Sequence, residues 1–302
     1  MANVLEVSKR VIRSLPCPGR TSPRTSKRSP RPVVTRFSAR AVPDVAVAPA
    51  AYAGGMLGCR KSPLVAGLSV LAGYAALLRP RMLRWGATDE ERAGCYPGAD
   101  IVRGGRRTAT MAVTIEAPPL RVWPWLVQMG FDRAGWYSWD HLDRGGIPSE
   151  ERIHAEWQNI AIGDRLASAP DAGVWFEVAA LEPLQFLALR ASLELAPRMR
   201  PFDPRGQRPR FYSDSTWCFL LTELPGARTR LVVSGYASSR PRPLTAIADF
   251  VFWEPAHWIM QTRQFANLKR RSESSERSPT DRERDSGVGA TPVDTAPIEA
   301  RR

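Results

Sequence analysis

The chain has 302 residues, 43% of them apolar, enough for one or two domains with a real core. Its net charge of +13 suggests a nucleic-acid partner until the charge is located: residues 1–61 hold twelve Lys/Arg against Glu6 and Asp44, a net +10. The remaining residues are close to neutral, which argues against a DNA-reading face on the folded part, and no nucleic-acid partner is expected.

Residues 1–61 are rich in Arg, Ser and Pro and poor in large apolar runs. Such a segment buries too little surface to offset its ordering entropy and is expected to be a basic disordered tail. Three readings stay open for it: a basic arm for anionic lipid or nucleic acid, a transit peptide, or an over-extended start with Met56 as the true beginning. Next comes an uncharged run at 62–78, SPLVAGLSVLAGYAALL, bracketed by Arg60 and Lys61 before it and Arg79, Arg81 and Arg84 after it. Seventeen residues at 1.5 Å rise sit at the short end of a membrane span, so the run is expected to be a single transmembrane or membrane-anchoring helix. The protein is then a single-pass membrane protein; the alternatives are a buried or interfacial helix in a soluble cytoplasmic protein, or a signal-peptide core. Residues 79–104 read as a connector, in which Thr88 and Glu91 have capping-box spacing for a short helix.

Arg106–Glu116 alternates Met111, Val113 and Ile115 with polar positions, a half-buried strand. A helix is predicted from Pro119, with Val122, Trp123, Leu126, Val127 and Met129 on its apolar side and Gly130 as its stop. Trp123–Asp140 concentrates Trp123, Trp125, Phe131, Trp136, Tyr137 and Trp139. Its first part reads as a packing helix, and its second, within Arg133–Asp143, as a short mixed-face helix aimed at a cavity. Further strands are predicted at Ile162–Leu166, Val174–Leu181, Gln185–Ser192, Asp214–Leu224 and Thr229–Ser238, the last two joined as a hairpin through Pro225-Gly226-Ala227. Residues 194–210, with four prolines and five arginines, read as a long loop. Leu244–Arg271 is helical by spacing, kinked or restarted at Pro255, and residues 272–302 are expected to be a second disordered tail.

Strand, helix, small helix, a run of antiparallel strands and a long C-terminal helix make an α+β layer fold. A curved antiparallel sheet with one helix laid across it leaves room for an apolar cavity. The segments RTATMAVTI, APPLRVWPWLVQMG, RAGWYSWDHLD and WQNIAIGDRL together resemble the START-like (SRPBCC) superfamily, in its polyketide cyclase/dehydrase and lipid-transport branch, over about residues 105–271. RPRMLRWGAT resembles the connector that follows a membrane segment in such proteins. The resemblance implies a helix-grip fold, a sheet wrapped around the C-terminal helix with a deep hydrophobic cavity. It carries over no catalytic residue, because the family has no universal catalytic set.

The candidate ligand-binding residues are Trp136, Tyr137, Trp139, Asp140, Trp157, Trp175, Trp217 and Tyr236, with core packing the competing role of each aromatic. The expected partner is a hydrophobic small molecule or lipid, with the membrane contacted through residues 62–78. The alternative is a cyclase- or dehydratase-type enzyme on a polyketide-like substrate, with Glu177, Asp140 and Tyr137 as acid/base candidates. Asp140, His141 and Asp143 resemble a metal or acid/base cluster, but His141 and Asp143, two apart, would diverge on a helix; no metal is expected, and no cofactor motif occurs. Cys17, Cys59, Cys95 and Cys218 form no CxxC pair and read as free thiols, Cys218 in a core strand.

Overall fold

A computed structural model describes residues 63–170 and 173–274. The expectations for residues 1–61 and for most of 272–302 lie outside the described residues. Seven antiparallel strands form one curved sheet: β1 (Arg106–Ile115), β2 (Arg165–Ala167), β3 (Trp175–Glu182), β4 (Phe186–Glu194), β5 (Arg200–Pro201), β6 (Tyr212–Leu224) and β7 (Arg228–Arg240). Their spatial order is β1-β7-β6-β4-β3-β2, with β5 attached to β4. The β6–β7 hairpin is the long spine, in register from Tyr212↔Arg240 to Leu224↔Arg228. Its turn has Gly226 and Ala227 at φ 82° and 52°, the positive values a tight hairpin needs.

Strand alternation divides the buried residues between two faces. Met111, Ile115, Leu187, Leu189, Phe219, Leu221, Leu231 and Val233 point to an inner face. It is covered by α4 (Pro119–Val127) through Val122, Trp125 and Leu126, and by the C-terminal helix through Phe265 and Leu268. Ala112, Phe186, Ala188, Cys218, Leu220 and Val232 point to an outer face, covered by Tyr96 and Val102. Burial on both sides explains why β6 runs through five consecutive apolar residues, Trp217–Leu221, rather than alternating.

Residues 85–105 are therefore part of the fold. They open with Gly86, at φ 69°, where an added Cβ would stand 2.1 Å from the Ala112 carbonyl oxygen, so only glycine passes this sheet edge. The capping box of α3 (Asp89–Ala93) forms as its spacing predicts: the Thr88 hydroxyl accepts from Glu91 N–H at 3.2 Å, and Glu91 accepts from Thr88 N–H at 2.8 Å. Glu91 also takes two charge-assisted bonds of 2.8 Å from Arg230 on β7, while the same guanidinium donates to the Gly86 carbonyl at 2.7 Å. This ion pair, with Glu91 1% exposed, pins the segment to the sheet.

Two long helical rods complete the molecule. The N-terminal rod is α1 (Pro63–Gly73), a π turn (Tyr74–Leu78) and α2 (Arg79–Leu83); the C-terminal rod is α6 (Arg242–Ala248), a π turn (Asp249–Trp253) and α7 (Glu254–Ser274). Each π turn directly precedes the start of a helix with proline at its second position, Pro80 or Pro255. Proline has no N–H to give to the carbonyl four residues back, and the wider turn takes up the change: Arg79 N–H reaches Tyr74 O and Glu254 N–H reaches Asp249 O. Pro255 thus loosens the helix without ending it.

Several expectations change. The helix predicted within Arg133–Asp143 shrinks to α5 (Asp140–Asp143), because Gly135 and Tyr137 adopt φ 83° and 57°, outside any right-handed helix. Gly130 and Gly135 instead pair as an isolated bridge. The loop at 194–210 contains β5. Among the described residues no helix is long and apolar enough to cross a membrane, which removes the support for a single-pass span at 62–78. From Pro63 to Leu78 the rise gives only about 24 Å against roughly 30 Å of hydrocarbon, and the rod then continues into Arg79 and Arg81. Cys218 is a buried free thiol, but Cys95 is disulfide-bonded, a pairing that linear spacing does not reveal.

Candidate functional site

Between the inner sheet face and α7 lies a cluster of rings. Trp136 stands 5.3 Å from Phe176 and 5.7 Å from Trp217; Phe176 and Trp217 are 5.8 Å apart, and Trp217 is 4.8 Å from Phe219. β3 and β6 place Phe176, Trp217 and Phe219 on the same face by alternation. The bridge between Gly130 and Gly135 turns the chain so that Trp136 meets them.

A chain of amides crosses this apolar setting. The Trp217 indole N–H donates to Gln261 Oε1 at 3.0 Å, Gln261 Nε2 donates to Gln264 Oε1 at 2.8 Å, and Gln264 Nε2 donates to the Trp136 carbonyl at 2.8 Å. Both glutamines are 1% exposed. Buried polar groups are costly unless paired, so this chain fixes the rotation of the helix against the sheet. It is also the kind of sparse polar feature that orients a ligand in an apolar pocket.

Tyr137 lies one residue from Trp136 but points into a separate polar nest. Its hydroxyl accepts from Gln128 Nε2 at 2.8 Å, its carbonyl accepts from Asn267 at 2.8 Å, and the Arg271 guanidinium lies 4.8 Å from its ring centre. Burial pushes its phenol above the usual tyrosine range, so it stays protonated. Asp140 is a structural acceptor: Oδ1 takes Ser149 Oγ–H at 2.6 Å and Ser149 N–H at 3.1 Å.

The other predicted residues sit apart. Trp139 is 45% exposed, its ring under Arg263 and its N–H directed to the Ile259 carbonyl at 3.4 Å. Trp157 stacks on His154 at 4.4 Å at the margin of the core, and Trp175 lies under Arg165 at 4.3 Å. Tyr236 packs on the outer face with Tyr96 and Arg107, because it shares strand parity with Val232. Glu177 alternates away from Phe176 and Val178, toward Arg205 at 3.9 Å. Of the eight candidates, the structure brings Trp136 and Trp217 together, with Tyr137 adjacent.

Sequence reasoning missed Phe176, Gln261 and Gln264, and weighed Asp143 only within a cluster it set aside. The glutamines had a signal: they fall in the apolar stripe that continues through Phe265 and Leu268, where polar side chains need partners. Asp143 had none of its own. Its two carboxylate oxygens are buried without a hydrogen-bond partner, since the nearby Ser138 hydroxyl donates to the Met260 carbonyl at 3.1 Å. Burial first, and the charge of Asp140 second, raise its carboxyl to about 6.

Two surface concavities lie elsewhere. One of about 380 Å³ is lined by Arg81, Arg84, Trp85 and Thr88 at the base of the N-terminal rod. One of about 460 Å³ is lined by Glu194, Arg200, Phe202, Arg208 and Arg210 beside β5.

No family model matches the chain, and no curated protein matches it. Solved structures do resemble it in part. Protein MLL2253 from Mesorhizobium loti is 23% identical over 55% of this chain and 98% of its own, with a TM-score of 0.32. CalU16 from Micromonospora echinospora is 16% identical over 56% of this chain and 85% of its own, with a TM-score of 0.28. The hypothetical protein jhp0584 from Helicobacter pylori is 14% identical over 54% and 86%, with a TM-score of 0.35. At these TM-scores the likenesses decide neither the fold family nor the function.

Proposed function

We propose that this chain binds a hydrophobic small molecule or lipid between the inner sheet face and α7, in a START-like, helix-grip arrangement. One observation carries the reading: the Trp136–Phe176–Trp217 ring cluster is threaded by the buried Trp217–Gln261–Gln264 amide chain. An apolar ligand would replace ring–ring contacts with ring–ligand contacts, and a single hydroxyl or carbonyl on it would take over the Trp217 N–H or the Gln261 amide. Trp139, Trp157 and Trp175 would border the entrance, with Tyr137 and Asp140 holding the wall. The same reading puts the domain at a lipid surface, from which its ligand would be drawn. Native mass spectrometry of the purified full chain tests it: a co-purified apolar ligand is the expected result, and Trp217→Ala should lower its occupancy.

A cyclase- or dehydratase-type activity is the second reading, and Asp143 favours it. Its carboxylate oxygens are buried without a hydrogen-bond partner, and that burial raises the carboxyl to about 6, which would suit proton transfer to a substrate reaching it. Asp140, Tyr137 and Glu177 are less suited, the first two committed to structural hydrogen bonds and the third facing away from the rings. If the reading holds, Asp143→Asn should abolish turnover of any substrate found while leaving ligand occupancy unchanged; full turnover in the variant refutes it.

A further inference from the structure

The two rods run parallel and touch at matched levels. The Tyr74 ring meets Phe250 edge-on at 4.9 Å, and its hydroxyl donates to the Phe250 carbonyl at 2.8 Å. One turn further along both, Arg79 grips Glu254 through two charge-assisted bonds, the Nη2–Oε1 contact being 2.8 Å. Further still, Trp85 stacks on Phe265 at 5.9 Å. Below this seam α7 enters the core. Above it both rods carry an unusual exposed surface.

On α1 every residue from Val65 to Ala72 is exposed, and none is charged. Leu68 and Val70 are 66% and 74% exposed, on different sides of the helix. On the C-terminal rod Leu244, Ile247, Val251, Phe252 and Trp253 are all 60% exposed or more. Isolated exposed leucines need no explanation, but two adjacent rods of them do. At the base of the N-terminal rod the chemistry changes at once: Arg79, Arg81 and Arg84 follow within six residues of Leu78, and Arg81 and Arg84 line the concavity beside Trp85.

We infer that this two-rod surface inserts into an anionic lipid bilayer, without spanning it. A second protein copy would cover one side of α1 and leave the others wet, whereas α1 is apolar around its whole circumference, a pattern met by lipid. The arginines at its base complement anionic headgroups, and Trp85 and Trp253 are the residue type that settles at the headgroup level. The apolar length of about 24 Å is too short to cross the hydrocarbon, and the exposed Arg242 and Asp249 of the C-terminal rod limit how deep that rod enters. The Tyr74–Phe250 and Arg79–Glu254 seam couples the inserted part to α7, whose next turns carry Gln261 and Gln264. The C-terminal rod thus joins the lipid surface to the proposed ligand site. The inference sharpens the lipid-surface half of the proposed function and rests on no ligand, so vesicle binding and ligand binding can fail separately.

Flotation of the full chain with vesicles tests it, alongside sedimentation velocity without lipid. Wild type should float with phosphatidylcholine–phosphatidylglycerol vesicles and bind phosphatidylcholine alone more weakly. Leu68→Glu/Leu71→Glu and Ile247→Glu/Phe252→Glu, each checked for unchanged circular dichroism, should lower binding by roughly tenfold or more. Arg81→Gln/Arg84→Gln should cost roughly fivefold per arginine on the anionic vesicles and little on the neutral ones. The inference is overturned if wild type does not float, or if both glutamate pairs float like wild type. A lipid-free dimer that the Leu68/Leu71 pair dissociates, with no flotation, would give the surface to a second copy instead.

Discussion

The Trp217–Gln261 contact can be weighed by a double-mutant cycle. Trp217→Phe keeps most of the ring but deletes the N–H that donates to Gln261 Oε1 at 3.0 Å. Gln261 is 1% exposed, so water does not take the vacant acceptor, and an orphaned buried group costs about 1–3 kcal/mol. Gln261→Leu orphans two groups, the Trp217 N–H and Gln264 Oε1, and recovers part of that cost by burying an apolar side chain. In the double variant only Gln264 Oε1 remains unpaired. It should therefore be more stable than the sum of the single losses implies by the cost of two orphaned groups, about 2–6 kcal/mol. Urea unfolding followed by far-UV circular dichroism measures this directly, provided the m values agree. Additivity to within roughly 0.5 kcal/mol would refute the reasoning and reduce the amide chain to incidental packing. With a ligand bound whose one hydroxyl or carbonyl meets the Trp217 N–H or the Gln261 amide, the coupling should shrink, because that group would then supply one of the partners.

Glu91→Ala leaves the Arg230 guanidinium buried and unpaired, and should cost about 3–5 kcal/mol in thermal or urea unfolding, whereas Glu91→Leu/Arg230→Met should regain most of it. Recovery failing in the double variant would mean that residues 85–105 are held mainly by other contacts. Asp143 carries a pH signature. Its folded carboxyl, near 6, is raised above the ordinary value of 3.8, so the folded state holds the proton more tightly and loses stability as pH rises from about 4 to above 6. Asp143→Asn should accordingly raise the melting temperature at pH 7.5 and have little effect at pH 4. A shift of the same size at both pH values would show that Asp143 is not perturbed. Gly86→Ala should be strongly destabilising, since its Cβ would meet the Ala112 carbonyl at 2.1 Å; an unchanged melting curve would mean that the sheet edge yields.

Much of the sheet was legible because its signals are local. The β6–β7 hairpin announces itself through β-branched and aromatic runs around Pro225-Gly226-Ala227, and the Thr88–Glu91 capping box through spacing alone. What failed depended on contacts distant in sequence. Arg133–Trp139 has helical composition, but Gly135 and Tyr137 are forced into positive φ by the Gly130 bridge and by Ser149, whose side chain lies 2.5 Å from any Cβ at Gly135. The 85–105 segment looked like a connector because its one charged anchor, Glu91, finds its partner 139 residues away. The aromatic count pointed toward the site without resolving it. Trp136, Trp217 and Tyr236 are equivalent as letters, and only strand parity sends Tyr236 to the outer face. The amides of Gln261 and Gln264 were visible as polar interruptions in a buried stripe, but their target, the Trp217 indole, is set by how α7 crosses β6.

Native mass spectrometry of the full chain, purified gently and then stripped with organic solvent, tests the central claim most directly. A bound mass of an apolar molecule should accompany the wild-type chain, disappear on extraction and fall sharply in Trp217→Ala with the fold retained. An apo mass from several expression hosts, or an occupancy that Trp217→Ala leaves unchanged, would contradict a ligand site between the sheet and α7.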